Sequence, residues 1–222
     1  TINSEYQKAN KSSFISVLLV LLFVGSQMAF ADLRIDVTQG RADPMPIALN
    51  DFVGIDDNYS QVGSDISRVI AQNLERSGLF APINKEAFIK KAVPLDRRPE
   101  FSNWKVLNAQ AMVHGQVNIE DDGRLNIQFR LWDTFAEQQM VGNSYFTTPK
   151  NWRRVAHIIS DLIYKRITGE DGYFDTRIVY ISESGSKDRR RKRLAIMDQD
   201  GANHRFLTDG SDLVLTPRFS PT

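Results

Sequence analysis

Residues 177–222 read RIVYISESGSKDRRRKRLAIMDQDGANHRFLTDGSDLVLTPRFSPT, and this stretch decides how the chain is built. Residues 177–182 alternate apolar with polar side chains and are rich in β-branched residues, the pattern of a strand. A second short strand is expected over 193–198, closed by the turn-forming Asp200-Gly201. Phe206-Leu207 is a third apolar patch, and Asp209-Gly210-Ser211 is the next turn cluster. An apolar-then-proline unit starts again at Pro217-Arg218-Phe219-Ser220-Pro221. Strand, turn, strand, turn, strand and a restart within about forty residues is the period of a β-propeller blade. Each blade packs on two neighbours in a closed ring, so a single blade leaves both faces uncovered. Residues 176–222 therefore read as a first blade with the start of a second, in a piece of a longer chain whose propeller is truncated.

At 222 residues, with 41% hydrophobic and 25% charged side chains, the composition is that of a folded globular protein. The net charge is +1, which gives no general electrostatic reason to expect a nucleic acid or an anionic surface as partner. Cysteine is absent, so thiol catalysis, disulfides and Cys-based zinc sites are excluded.

The beginning of the chain sets the compartment. Lys8 and Lys11 precede an almost wholly apolar run over 14–24, Gly25-Ser26-Gln27 breaks it, and Ala29-Phe30-Ala31 supplies a small-x-small cleavage motif. Residues 1–31 are thus expected to be a signal peptide cut between Ala31 and Asp32, with no integral membrane span left after cleavage. Residues 32–39 (DLRIDVTQ) alternate Leu33, Ile35 and Val37 against Arg34, Asp36 and Thr38. That pattern leaves two readings open: an edge strand of the following domain, or an extended tail set apart by Gly40 and Pro44.

Residues 46–168 read as an α+β domain, a mixed or antiparallel sheet with two main helices on one face. The first helix is expected over 62–77, with Val62, Ile66, Val69, Ile70 and Leu74 on one side and Gly78 ending it. A short extended piece follows over 79–83, then a weak helix over 86–91 and a loop over 93–100. Residues 109–120, 124–133 and 137–147 read as a meander, with Asp121-Asp122-Gly123 as its first turn. Thr148-Pro149 marks the start of the second helix and Gly169 its end. Residues 169–175 are the linker into the blade.

Three stretches carry a resemblance: LERSGLF at 74–80, AHIISDLIYKRITG at 156–169 and GYFDTRIVYIS at 172–182. Together with LAIMDQDGANHRFLTDGSDLVLTPRFSP and the order signal peptide, α/β domain, propeller, they resemble the TolB family, periplasmic proteins of the Tol–Pal envelope system. The resemblance covers residues 32–222. The chain departs from the family at the basic run over 187–193, which is longer and more charged than expected there. The resemblance implies a non-enzymatic periplasmic adaptor with a role in envelope integrity and in outer-membrane invagination during cell division. It implies that the segment 32–45, and in it Asp32, Leu33, Arg34, Ile35, Asp36 and Val37, binds the C-terminal domain of the inner-membrane protein TolA. It also implies that the propeller binds Pal, a peptidoglycan-associated lipoprotein. The alternative is an exported hydrolase of the prolyl-oligopeptidase type whose catalytic domain lies beyond this chain.

Enzymatic signals are weak. SESGS at 182–186 lacks the nucleophile-elbow spacing and is expected in a hairpin loop. His114, His157 and His204 stand alone in sequence, without a carboxylate or second histidine at ligand spacing. Asp121-Asp122 and Asp198/Asp200 precede glycines in turns and lack the calcium-loop spacing. No catalytic, cofactor-binding or metal-binding residue is assigned. The run 187–193 is read as a solvated loop between two strands, with contact to an anionic partner or lipid headgroups left open; without interleaved aromatics it does not read as a nucleic-acid site.

Overall fold

The computed structural model describes residues 33–34, 43–54, 56–89, 93–212 and 214–220. The chain divides into Thr1–Asp32 and Leu33–Thr222, and all described residues belong to the second unit. The signal peptide and its cleavage site, Ala31 and Asp32, lie outside the described residues, as do Ile35, Asp36 and Val37. Among the described residues no helix is long and apolar enough to cross a membrane.

The larger sheet follows from the alternation upstream of the linker. Strands β1 (Met45–Leu49), β2 (Val53–Gly54), β3 (Phe80–Pro82), β4 (Ala111–Ile119), β5 (Leu125–Asp133) and β6 (Gln138–Thr147) form one sheet. Its order is β3-β1-β4-β5-β6, with β2 also pairing β4. The meander β4-β5-β6 is antiparallel, while β1 runs parallel to β3 and to β4. Helices α1 (Asp57–Arg76) and α3 (Trp152–Thr168) cover one face. There Ile66, Ile70 and Leu74 meet Ile127, Phe129 and Leu131 of β5 and Ile159 and Ile163 of α3 in the main core.

Helix α1 begins earlier than its apolar stripe, because the Asp56 side chain accepts from the Tyr59 N–H and caps the first turn. The opposite face of the sheet carries a second core. Phe88, Phe101, Trp104, Met112 and Trp132 pack together there, under a segment that includes a one-turn helix α2 (Phe101–Lys105). The expected helix over 86–91 is a single 3-10 turn, Lys85–Ala87, capped by Asn84. Thr148 makes no side-chain cap; a 3-10 turn, Pro149–Asn151, leads into α3 instead.

Beyond the linker, β7 (Arg177–Ser184), β8 (Arg191–Asp198) and β9 (Arg205–Phe206) form a three-stranded antiparallel sheet. Of its hydrophobic side chains only Ala195 and Ile196 are buried, while Ile178, Phe206 and Leu207 are each more than 40% exposed. These are the faces of a sheet built to pack on neighbours. The basic run is only half loop: Arg191, Lys192 and Arg193 belong to β8, where Lys192 pairs in register with Glu183 and the two form an ion pair of 3.0 Å. Opposite charges directly across a ladder stabilise the strand that the like-charged run alone would disfavour. Ser182–Ser184 likewise lie in β7 rather than in the hairpin loop.

Candidate functional site

The chemistry of this chain concentrates where the domain meets the blade. Asn73 stands on α1 in register with Ile66, Val69 and Ile70, on the buried stripe, and is itself fully buried. A buried amide must find partners for all its groups. Arg76 donates to Asn73 Oδ1, and Gln199 of the blade donates to the same oxygen at 3.0 Å. This fixes the amide, so Nδ2 donates to Ser160 Oγ and to His157 Nδ1, both at 2.9 Å. With Nδ1 accepting, the imidazole proton sits on Nε2.

His157 Nε2 lies 3.6 Å from Asp200 Oδ2 and has no hydrogen-bond partner among the described residues. Asp200, in the turn after β8, forms an ion pair with Arg153 of α3 and accepts from the Ala202 N–H at 3.0 Å. Burial raises the Asp200 carboxyl, but these hydrogen bonds and the Arg153 charge outweigh it and hold the group below the usual range. Burial pushes the His157 imidazole down, so the ring is neutral at neutral pH. His157, Asp198 and Asp200 offer ligand atoms within 4.8 Å of one another. The ring atom facing the carboxylates carries the proton, however, and Arg153 already neutralises Asp200. The arrangement therefore works as an ion-pair and hydrogen-bond network that ties α1 and α3 to the blade.

The linker is strapped down beside this network. Asp161 of α3 accepts from the Phe174 N–H at 2.7 Å and from the Asp175 N–H at 3.0 Å. Phe174 is buried in the main core, and Asp175 pairs with Arg154 at 3.1 Å. Gly172 passes so close that a Cβ there would lie 2.2 Å from Asp161 Oδ1, which only glycine avoids. Gly169 ends α3 in the left-handed conformation, φ 82°. A cleft of about 440 Å³ opens beside the strap, reaching His157 and Asp198 between Arg154 and His204.

Of the segment expected to bind a partner, Leu33 and Arg34 are described. Leu33 is half-buried and packs against the main core, Arg34 is exposed, and neither lies in a strand. His114 is a structural histidine: Nδ1 donates to the Val93 carbonyl at 3.1 Å and Nε2 accepts from Trp132 Nε1 at 3.0 Å. His204 packs against Tyr180 and Phe206 on the blade surface. The reading of three isolated histidines missed the junction, because Asp200 comes to His157 through the fold and not through spacing. One local signal was present: a polar Asn73 on an otherwise apolar helical stripe needs buried partners.

An α+β domain strapped to a propeller-type blade is the class of protein that this geometry defines. The family model described as TolB amino-terminal domain matches residues 33–140, and that described as TolB beta propeller domain matches 164–222. The Tol-Pal system protein TolB of Paramagnetospirillum magneticum is 54% identical over 207 residues, covering 93% of this chain and 46% of the relative. The chain belongs to the TolB family. It spans about half the length of that curated relative. The crystal structure of TolB from Acinetobacter baumannii shares the fold, with a TM-score of 0.65 at 24% identity over 83% of this chain and 43% of that one.

Proposed function

We propose that this chain is the amino-terminal half of a non-enzymatic periplasmic adaptor of the Tol–Pal system, linking the C-terminal domain of TolA to Pal and the outer membrane. In this reading Asp32, Leu33, Arg34, Ile35, Asp36 and Val37 form the TolA-binding segment, which adds as a strand to a sheet edge of the partner. Backbone hydrogen bonds then give affinity and the alternating Leu33, Ile35 and Val37 give register. The propeller, of which this chain holds the first blade, carries the Pal contact. The role serves envelope integrity and the drawing-in of the outer membrane at division.

The observation that carries the proposal is the junction. An adaptor that passes force or conformational bias between partners needs its two parts held in one arrangement. Asn73, His157, Asp161, Gln199 and Asp200 supply that hold through buried and half-buried hydrogen bonds and not through a loose spacer. The test is capture of each partner by the mature full-length protein. Deleting residues 32–43 is expected to abolish capture of the TolA domain and to leave Pal capture in place. Retained TolA capture would overturn the assignment of the segment.

A further inference from the structure

The hairpin joining β7 and β8 holds the largest local charge imbalance of the chain. Between residues 183 and 193 stand Lys187, Arg189, Arg190, Arg191, Lys192 and Arg193 against Glu183 and Asp188 alone, in a chain whose net charge is +1. The remainder of the molecule is therefore slightly acidic, and the hairpin carries the excess of positive charge.

That projection is open. Residues 183–191 are all exposed. The ladder between β7 and β8 runs out to Ser184 and Arg191, whereas β9 pairs only with Ala195 and Ile196, so the distal part is a two-stranded ribbon. Arg191 and Arg193 stand opposite the small uncharged Ser184 and Ser182, and Asp209, in the turn after β9, is the carboxylate that feels the Arg191 charge. Glu183 takes both Arg190, at 2.8 Å, and Lys192, at 3.0 Å. Arg193 lies over the Phe206 ring, 3.5 Å from its centroid. Among the described residues Lys187 and Arg189 have no ion-pair partner.

We propose that the β7–β8 hairpin is a docking site for the anionic headgroup surface of a lipid bilayer. The array is exposed and long-armed over residues 183–191, and the buried polar atom at its base, Arg193 Nε, belongs to a side chain lying over the Phe206 ring, so the tip matches a diffuse field of charge better than a single phosphate. Residues 181–193 include no aromatic on which a base would stack. Long basic side chains at a protruding tip reach headgroups without burying backbone, and each adds roughly fivefold to the affinity for an anionic bilayer. The proposal goes beyond the coupling role and does not depend on it.

The test uses the mature full-length protein with vesicles of phosphatidylcholine alone or mixed with phosphatidylglycerol. Sedimentation with the vesicles is expected for the mixed lipid only and is expected to fall as salt rises. Replacing Lys187, Arg189 and Arg191 together by Ser should weaken binding about a hundredfold with the melting temperature unchanged. The Arg189→Lys/Arg191→Lys variant should still bind, because charge and not guanidinium geometry carries the contact. Equal binding to neutral vesicles, or no loss in the triple Ser variant, would overturn the proposal. So would binding to duplex DNA as tight as to the anionic vesicles, which would assign the hairpin to polyanions at large.

Discussion

Asn73 on α1 and His157 on α3, 84 residues apart in the chain, are joined by a buried hydrogen bond of 2.9 Å. The same amide receives Gln199 from the blade, so one side chain holds three elements together. Replacing it by Ala strands the buried His157 Nδ1 and removes the acceptor of the half-buried Gln199 amide. Asn73→Ala is expected to cost roughly 2–4 kcal/mol in urea unfolding. A cost below half a kcal/mol would mean that the junction relaxes freely and is no latch.

The linker gives a second expectation. In Gly172→Val the new Cβ would meet Asp161 Oδ1 at 2.2 Å, displacing the carboxylate that holds the Phe174 and Asp175 amides. Those two amides are expected to exchange with solvent much faster than in the parent, while amides in β5 keep their protection. Unchanged protection of Phe174 would show that the strap does not depend on Asp161.

The third concerns pH. Burial lowers the His114 imidazole from its usual value to about 4. Between pH 6.5 and about 4 the unfolded chain binds a proton that the folded protein does not, so stability falls as the pH falls through that window. The loss approaches roughly 3 kcal/mol at the acid end. His157, also lowered by burial, adds in the same direction. His114→Gln keeps a donor for Val93 and an acceptor for Trp132 without titrating. Denaturant unfolding of this variant across the window should give a visibly flatter dependence on pH; a slope equal to the parent's would contradict the assignment.

Local physics made much of this fold readable from the residues alone. Leu125, Ile127, Phe129 and Leu131 alternate so cleanly that β5 and its buried face follow directly, and the apolar face of α1 does the same. The parallel pairing of β1 with β3 and β4 is set by the α1 crossover, which periodicity does not report. Helix α2 escaped notice because it is one turn long and owes its form to Phe101 and Trp104 entering the second core. The Asp198–Gly201 turn was legible as a turn. Its second use, presenting Asp200 to Arg153 and His157, is a tertiary fact. The strand character of Arg191–Arg193 was hidden by like charge, and became favourable only with Glu183 across the ladder.

Leu33 packs half-buried on the main core, so this residue touches its own domain and, in the proposed role, also a partner. Truncating Leu33 to Ala is expected to cost no more than about 1–2 kcal/mol, in keeping with partial burial, as read by thermal unfolding. A cost typical of a fully buried leucine would mark the segment as part of the core.

The most direct measurement is calorimetric titration of the TolA C-terminal domain into the mature full-length protein, with and without residues 32–43, alongside the melting temperature of each. The coupling account predicts that the deletion removes the binding heat and lowers the melting temperature by only a few degrees. Undiminished binding without the segment, or loss of the fold along with it, would contradict the account.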